Sequence, residues 1–388
     1  MLTDNQLSAL QNELLDIYNK IEIELILSVA KRLSNYSTVD GTLEWQIRKL
    51  SELNVLSKDL LKIFEKYSNK SEKAVQDMLK KAMLGNVDRD YLNEAFEKGV
   101  AFINYDSLSK SEVFKKMLDS SVYDLNNNLS LINTTALESA KSSYTKILNK
   151  AYVESATGTY SLNEAVQKGI KDMAKKGFKG ATYESGRQIG IEPAVRRDTL
   201  SAIINNVNKS AIESANLTGT NYVEVSQHLG ARTSKKSKIA NHAGWQGKVY
   251  QIDGSSEEYG NLVEETGYGD IEGLGGVNCR HRMFPYFPGI SVKKKVKVDK
   301  ERNKEVYAAT QRLRALEREF RANKRMWYAS KETLDNATQK KCESKSKEIL
   351  EEIKSIEKKY TEIGSNSSRT LILEDLKWEY SIEQKMVQ

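Results

Sequence analysis

The sequence predicts a mainly α-helical protein that carries one small α+β module. Three observations support this fold class. Apolar residues recur at helical spacing through residues 1–217, where a single proline, Pro193, interrupts the chain. Eleven of the 22 glycines and all three histidines then fall between His228 and Gly289. After this window, a seven-residue apolar repeat begins at Val306, which is typical of packed helices.

Length and composition restrict the class of protein. The chain has 388 residues, enough for two or three units with hydrophobic cores. No run of 18 consecutive apolar residues is present, so we expect no membrane span. The acidic, periodic start lacks the features of a secretory signal, and two cysteines do not predict a disulfide framework.

Residues 1–217 predict a long helical region. The first helix has one continuous apolar face, formed by Leu7, Leu10, Leu14, Tyr18, Ile21, Leu25, Val29 and Leu33. Turn-forming residues at 35–41 end it. Further helices are predicted near 43–67, 71–84 and 88–98, and another over about 109–150.

Two local signals place the last helices of this region. Ser161 and Glu164 have the spacing of a capping box, and Gly177 predicts the end of the helix that follows. Pro193 can lie in the first turn of a helix, where its missing N–H is not needed, so a helix is predicted from there to about Leu217.

Residues 218–292 predict the α+β module. The segments 221–227 and 247–253 alternate and are rich in β-branched and aromatic residues, so both predict strands. Trp245, just before a glycine and the second strand, is expected to be a buried ring that holds a loop in place.

Four side chains that zinc prefers lie within 54 residues of this module: His228, His242, Cys279 and His281. Their confinement to a loop-rich segment predicts a structural zinc site, because a metal can stabilise a module with few apolar residues. Three alternatives stay open. The histidines can be ordinary hydrogen-bonding residues beside an inert thiol, Cys279 can be an activated nucleophile, or the cluster can be a zinc-dependent nuclease site.

Residues 293–362 predict a basic helical hairpin or a partner-binding coiled coil, followed by a tail at 363–388. One apolar seam is formed by Val306, Leu313, Phe320, Trp327 and Leu334, and a second by Ile349, Ile353, Ile356 and Tyr360. The segment 293–331 has 14 basic and 5 acidic residues, whereas the whole chain has a net charge of +7. This excess predicts contact with a polyanion such as double-stranded DNA, or else a solvated helix face. The expected DNA-binding side chains are Lys293, Lys294, Lys295, Lys297, Lys300 and Arg302.

Five ordered blocks of the module resemble a known family. They are HLGAR, HAGWQGKVY, TGYG, GLGGVNCRH and FPYFPGIS, between residues 228 and 291. In this order they resemble the tailed-phage minor capsid protein 2 group, which is related to the Mu F-like head morphogenesis proteins. Where those relatives tend to have NCRC, this chain has His281 in place of the second cysteine. The motif residues other than the metal ligands are Arg232, Trp245, Gln246, Gly247, Asn278 and Arg280.

The resemblance implies a low-copy structural protein of a phage head. Such a protein is expected at the portal vertex and the inner side of the capsid, with the portal protein, the major capsid protein and packaged DNA as partners. It would be in the host cytoplasm during assembly. Some relatives carry a C-terminal toxin enzyme, but the C-terminal part of this chain has no catalytic set of residues.

Three hypotheses therefore follow: a structural virion protein, a Cys/His-dependent or zinc-dependent hydrolase, and a general DNA-binding protein. For the first, the helical region 1–217 is expected to contact the head shell or portal. The broad apolar face of the first helix, centred on Leu14, Ile21 and Leu25, is the predicted docking surface.

Overall fold

The computed structural model describes residues 4–38, 41–289, 291 and 300–361. Over these residues the protein is mainly helical with a few short strands, as the sequence predicts. The helices, in chain order, are α1 (Asp4–Ala9), α2 (Asn12–Ser34), α3 (Thr42–Asn86), α4 (Arg89–Glu97), α5 (Tyr105–Ser109), α6 (Glu112–Ala156), α7 (Leu162–Lys176), α8 (Ile191–Thr218), α9 (His242–Trp245), α10 (Leu262–Thr266), α11 (Lys300–Glu332) and α12 (Asn336–Thr361). The strands are β1 (Lys179–Thr182), β2 (Gln188–Gly190), β3 (Tyr222–Val225), β4 (Val249–Gln251) and β5 (Met283–Pro285).

The main core lies between α2, α3, α6, α7 and α8, with α2 at its centre. The periodic apolar face of α2 is buried there, because α3, α6, α7, α8 and α11 pack against this helix. Leu14, Ile21 and Leu25 are 0, 2 and 0 % exposed. The prediction that these three residues form a docking surface is therefore wrong: they are core residues.

α3 is one continuous helix of 45 residues. The sequence predicts a break between residues 67 and 71, because that stretch is polar, but the break is absent. Tyr67 is buried, and its hydroxyl donates a hydrogen bond to Glu24 of α2 at 2.7 Å. This tertiary contact holds the polar stretch against α2 and overrides its weak local preference for a helix.

The end of α7 follows its sequence signals. Ser161 and Glu164 form the predicted capping box, and Gly177 ends the helix with φ at 69°, a conformation that favours glycine. The antiparallel pair β1 and β2, which the sequence does not predict, then leads into α8. Pro193 lies in the first turn of α8, as expected.

The small sheet has the strand order β4–β3–β5, and both pairings are antiparallel. β3 and β4 lie inside the two predicted strand segments, whereas β5 is not predicted, because it is short and ends at Pro285. The apolar core behind this sheet includes Ala211 and Ala215 from the last turns of α8. The sheet is thus built directly on the end of α8.

The C-terminal region is a helical hairpin, which decides between the two predicted alternatives. α11 packs along α12, and Leu313, Phe320 and Ile353 are buried between them. The side chain of Leu334, the last residue of the predicted seam, lies at the turn and is 84 % exposed. Arg325 on α11 joins the hairpin to α2 through an ion pair with Glu22 at 3.3 Å.

Some predictions fall outside the described residues. They concern the tail 363–388 and the side chains of Lys293, Lys294, Lys295 and Lys297. Among the helices that the structure describes, we find none with the length and apolar character needed to span a bilayer.

Candidate metal centre

The four predicted ligands are placed by loops around the small sheet. His228 follows β3, His242 opens the short helix α9, and Cys279 and His281 lie just before β5. Asn278 has φ at 58°, a left-handed conformation that asparagine tolerates, and this turn directs the chain back toward β5. The order of elements therefore brings distant parts of the module to one side of the sheet.

Three of the four residues form a compact, buried group. The candidate ligand atoms of His242, Cys279 and His281 lie within 4.8 Å of one another. The side chains are 3, 1 and 1 % exposed. The Sγ of Cys279 lies 3.6 Å from Nδ1 of His281. Tetrahedral zinc with bonds of about 2.0–2.3 Å requires ligand atoms about 3–4 Å apart, so small side-chain shifts would close this group around a metal.

Gln246 determines the tautomer of His281. Its Oε1 accepts a hydrogen bond from the backbone N–H of His228 at 3.0 Å and lies 3.1 Å from Nε2 of His281. The backbone N–H identifies this atom as the amide oxygen of Gln246, which has no hydrogen and can only accept. The hydrogen bond with His281 is therefore donated by its Nε2, which carries the proton. Its Nδ1 then has a free lone pair, and this is the atom that faces Cys279.

His242 is oriented in the same way. Its Nε2 lies 2.8 Å from the backbone carbonyl oxygen of Glu272, which can only accept a hydrogen bond. Nε2 therefore carries the proton, and Nδ1 has the lone pair. Metal-binding histidines usually donate their second ring N–H to an oxygen in this manner, which fixes the ring and increases its basicity. The donor set therefore fits a soft or borderline cation such as Zn²⁺.

Burial controls the protonation of the group. It lowers the pKa of His242 to about 4 and the pKa of His281 well below its ordinary value, so both rings are neutral at physiological pH. Burial also raises the pKa of the Cys279 thiol. A neutral thiol is a poor nucleophile. A bound cation would instead favour the thiolate form of Cys279 and would link the three side chains to one another.

His228 has a different position from the other three. Its ring stacks on the ring of His281, with centroids 4.3 Å apart, and its Nδ1 lies 3.1 Å from the Leu229 carbonyl oxygen. Among the described residues, the compact group contains His242, Cys279 and His281 but not His228. The sequence does not distinguish a histidine that is a ligand from one that only stacks on a ligand, because both are histidines of the same short window.

The other motif residues support the loops that carry this group. Arg232 Nη2 donates to the Val277 carbonyl at 2.8 Å, and Trp245 Nε1 donates to the Ile239 carbonyl at 2.9 Å. Gly247 has φ at 70°, and a Cβ at this position would lie 2.9 Å from the Gln227 side chain. The buried Trp245 ring agrees with the prediction that it holds a loop in place.

Some functionally placed residues have no signal in the sequence. Asn208 of α8 is fully buried. It donates to the His281 carbonyl at 3.3 Å and accepts from the Met283 N–H at 2.9 Å. Asn86 of α3 donates to the Met283 carbonyl at 3.1 Å. These contacts join residues more than 70 positions apart, so no local pattern predicts them.

The predicted DNA-binding residues lie largely outside the described part of the chain. Of the six, the structure describes Lys300 as the first residue of α11, and Arg302 as a half-buried residue in its first turn. Asn303, the next residue, is buried and accepts hydrogen bonds from the N–H groups of Gly230 and Ala231. The start of α11 therefore lies directly beside the small module.

Comparisons with known proteins identify the family of the chain. The sequence profile of the family described as "Phage minor capsid protein 2" matches residues 2–356. A curated relative, a "Structural protein" of Lactococcus phage LL-H, is 25 % identical over 335 residues, which are 83 % of this chain and 86 % of the relative. No solved structure matches the chain significantly. Because the family profile covers nearly the whole chain, the protein belongs to the phage minor capsid protein 2 family and is a structural protein of a bacteriophage head.

Proposed function

We propose that the protein acts without catalysis at the portal vertex, on the inner side of the capsid. In this proposal the helical region binds the portal protein or the major capsid protein, and the basic segment 293–331 faces the packaged DNA. Membership in a family of minor capsid proteins supports an assembly role. The observation that carries the proposal further is an exposed apolar surface on α3.

This surface, the α3 stripe, consists of Leu43, Ile47, Leu50 and Leu61. The four residues are separated by 4, 3 and 11 positions, so their side chains share one face of the helix. They are 68, 60, 57 and 47 % exposed, whereas Trp45 on the opposite face is fully buried. Large exposed apolar side chains that share one helix face are typical of interaction surfaces. The docking surface is thus assigned to α3 in place of the buried α2.

Incorporation into heads tests this surface. Replacing Leu43, Ile47 and Leu50 with Ser should leave the fold intact, because these side chains are exposed, and should abolish co-sedimentation with procapsids. A matched control replaces three equally exposed apolar residues elsewhere, Phe102, Tyr123 and Leu131, which are 72, 68 and 67 % exposed. Equal incorporation of both triple variants at the normal copy number would mean that the α3 stripe has no docking role.

We further propose a structural role for zinc, bound by His242, Cys279 and His281, with His228 as the fourth predicted residue. Elemental analysis of the purified full-length protein, with Cys279→Ser as the comparison, tests the site. The wild type should hold about one equivalent of zinc, and the variant should hold much less and unfold at a lower temperature. Less than about a tenth of an equivalent in the wild type would exclude a structural zinc.

The DNA contact is tested through the segment that precedes α11. Reversing the charges of Lys293, Lys294 and Lys295 should weaken binding to duplex DNA and flatten its salt dependence by up to about three contacts' worth. Binding without sequence preference is expected, because lysines contact phosphates. An unchanged affinity would instead assign the segment to protein contacts.

The hydrolase alternative is disfavoured by the surroundings of Cys279. The side chain is 1 % exposed, and burial raises the pKa of its thiol, whereas a nucleophilic cysteine needs access to substrate and a lowered pKa. A metal held by this buried group would likewise be shielded from substrate. Membership in a family of structural proteins also supports a role without catalysis.

A further inference from the structure

A group of charged residues, here called the arginine cluster, lies between α8 and α11. Its members are Arg196, Arg314, Arg318, Arg321, Glu192 and Glu317. On α11 the four members follow one another at spacings of three, one and three residues, so they share one face of the helix. Arg321 Nη2 lies 3.1 Å from Oε2 of Glu192, which turns this face toward α8.

The two carboxylates of the cluster are already shared between arginines. Glu192 is 2 % exposed, and its Oε1 accepts from Nε of Arg196 at 2.6 Å while Oε2 faces Arg321. Glu317 lies 3.9 Å from Arg321 and its side chain is 6 % exposed. The cluster thus contains four guanidinium groups and two carboxylates, so it has two more positive than negative charges.

Among the described residues of the cluster, Arg314 and Arg318 have no hydrogen bond or ion pair, and Arg314, which is half-buried, is the more buried of the two. Burial lowers the pKa of Arg314; Glu317 opposes this shift, while Arg196 and Arg318 add to it. Since arginine stays protonated in proteins, the group is a cation held close to two others. A half-buried charge in this situation is destabilising unless an anion joins it.

We propose that Arg314 and Arg318, together with Arg196, bind a phosphate group between α8 and α11. The guanidinium fork matches the geometry of phosphate oxygens and donates two parallel hydrogen bonds to them. Arg318 is exposed, so the site can be reached from solvent. Given the proposed function, on which this assignment rests, the phosphate belongs to the backbone of packaged DNA. Free phosphate is the other source of the same chemistry.

Thermal unfolding of the full-length protein tests the anion site without DNA. Phosphate, compared with chloride at equal ionic strength, should raise the unfolding temperature of the wild type, because a ligand of the folded state stabilises it. The double variant Arg314→Gln/Arg318→Gln should not respond, and in chloride it should be as stable as the wild type or more so. The control is Arg312→Gln, which removes one charge from the same helix but breaks an exposed ion pair with Glu352, and it should respond like the wild type.

Two results in that experiment would overturn the site. One is the absence of any phosphate response in the wild type. The other is a lower stability of the double variant in chloride, which would mean that the two arginines hold the fold together. Gln keeps most of the side-chain length, so a simple loss of packing is a minor contribution.

Duplex DNA then identifies the source of the phosphate. The double variant should bind DNA at least tenfold more weakly than the wild type and with a salt slope smaller by about two, whereas Arg312→Gln should change affinity less than twofold. A phosphate response without any loss of DNA affinity would assign the site to free phosphate and overturn the DNA assignment. The charge-reversed variant of Lys293, Lys294 and Lys295 keeps the arginine cluster and should therefore keep the phosphate response. A failure of residues 293–295 to bind DNA can thus be distinguished from a failure of the phosphate site.

Discussion

Replacing Glu192 with Gln is expected to loosen the attachment of the C-terminal hairpin to the helical region. Glu192 on α8 is 2 % exposed and joins Arg196 of its own helix, at 2.6 Å, to Arg321 of α11, at 3.1 Å. Glutamine has the same shape but no charge, and it directs an NH₂ group toward one guanidinium. Removing one partner of a buried ion pair costs about 3–5 kcal/mol, because the other charge is left buried. We expect a loss of that size in the free energy of unfolding.

Urea unfolding followed by circular dichroism measures this loss. The control Glu301→Gln, on the first turn of α11, changes a carboxylate that is 79 % exposed, so it should cost less than about 1 kcal/mol. A loss below about 1 kcal/mol for Glu192→Gln as well would refute the reasoning, since the ion pairs of Glu192 would then contribute little to holding α11.

The effect should also depend on pH. Burial raises the pKa of Glu192, but the charges of Arg196 and Arg321 outweigh it and lower that pKa overall. A carboxyl group with a lowered folded-state pKa stabilises the fold above its unfolded pKa of about 4.3 and loses this contribution as pH falls through the folded value. The difference between wild type and Glu192→Gln should therefore be full at neutral pH and shrink in acid.

Three other substitutions at buried or strained positions, with Leu50→Asp as an exposed comparison, test the packing. Ile21→Asp should unfold the helical region because the site is 2 % exposed, whereas Leu50→Asp, at 57 % exposure, should change its stability by less than about 1 kcal/mol in urea unfolding. Phe320→Ala should cost about 3–5 kcal/mol by the same measurement, since the ring fills the hairpin core. Gly267→Ala should lower the unfolding temperature of the small module, because φ is 62° and the new Cβ would lie 2.2 Å from Ile239 Cγ2. Stability at wild-type level in any of these buried variants would show that the corresponding contact is absent.

The sequence predicts the helices well where periodicity and capping agree. The capping box at Ser161, Gly177 and Pro193 each mark a boundary with a local physical cause, and the structure places the helix ends there. The sequence predicts a break in α3 near Tyr67 that the structure does not have. The helix is stabilised there by a hydrogen bond to Glu24, which lies on another helix. An apolar helix face likewise predicts that the face is covered. Whether it is covered by other helices of the same chain or by a partner depends on how the helices pack, which the sequence of one helix does not show.

The candidate metal centre was predictable in kind but not in detail. Residue types and their confinement to one window indicate four ligands, His228, His242, Cys279 and His281, of which the structure brings the last three into one compact group. The tautomers depend on Gln246 and on the Glu272 carbonyl, and neither role is visible in the spacing of the motif. The arginine cluster has no sequence signal either, because Glu192 and Arg321 are 129 residues apart.

Buried asparagines connect the small module to α3 and α8. Asn208 of α8 binds the backbone on both sides of Arg282, and Asn86, the last residue of α3, binds the Met283 carbonyl. The small module is thereby fixed to the end of α3 that is far from the α3 stripe. From Leu50 to Asn86 the helix rises about 54 Å, at about 1.5 Å per residue. If the stripe docks on the head shell, this rigid helix holds the small module about 38 Å from Leu61 and about 54 Å from Leu50. One long helix thus separates the proposed shell-binding end from the proposed DNA-facing end.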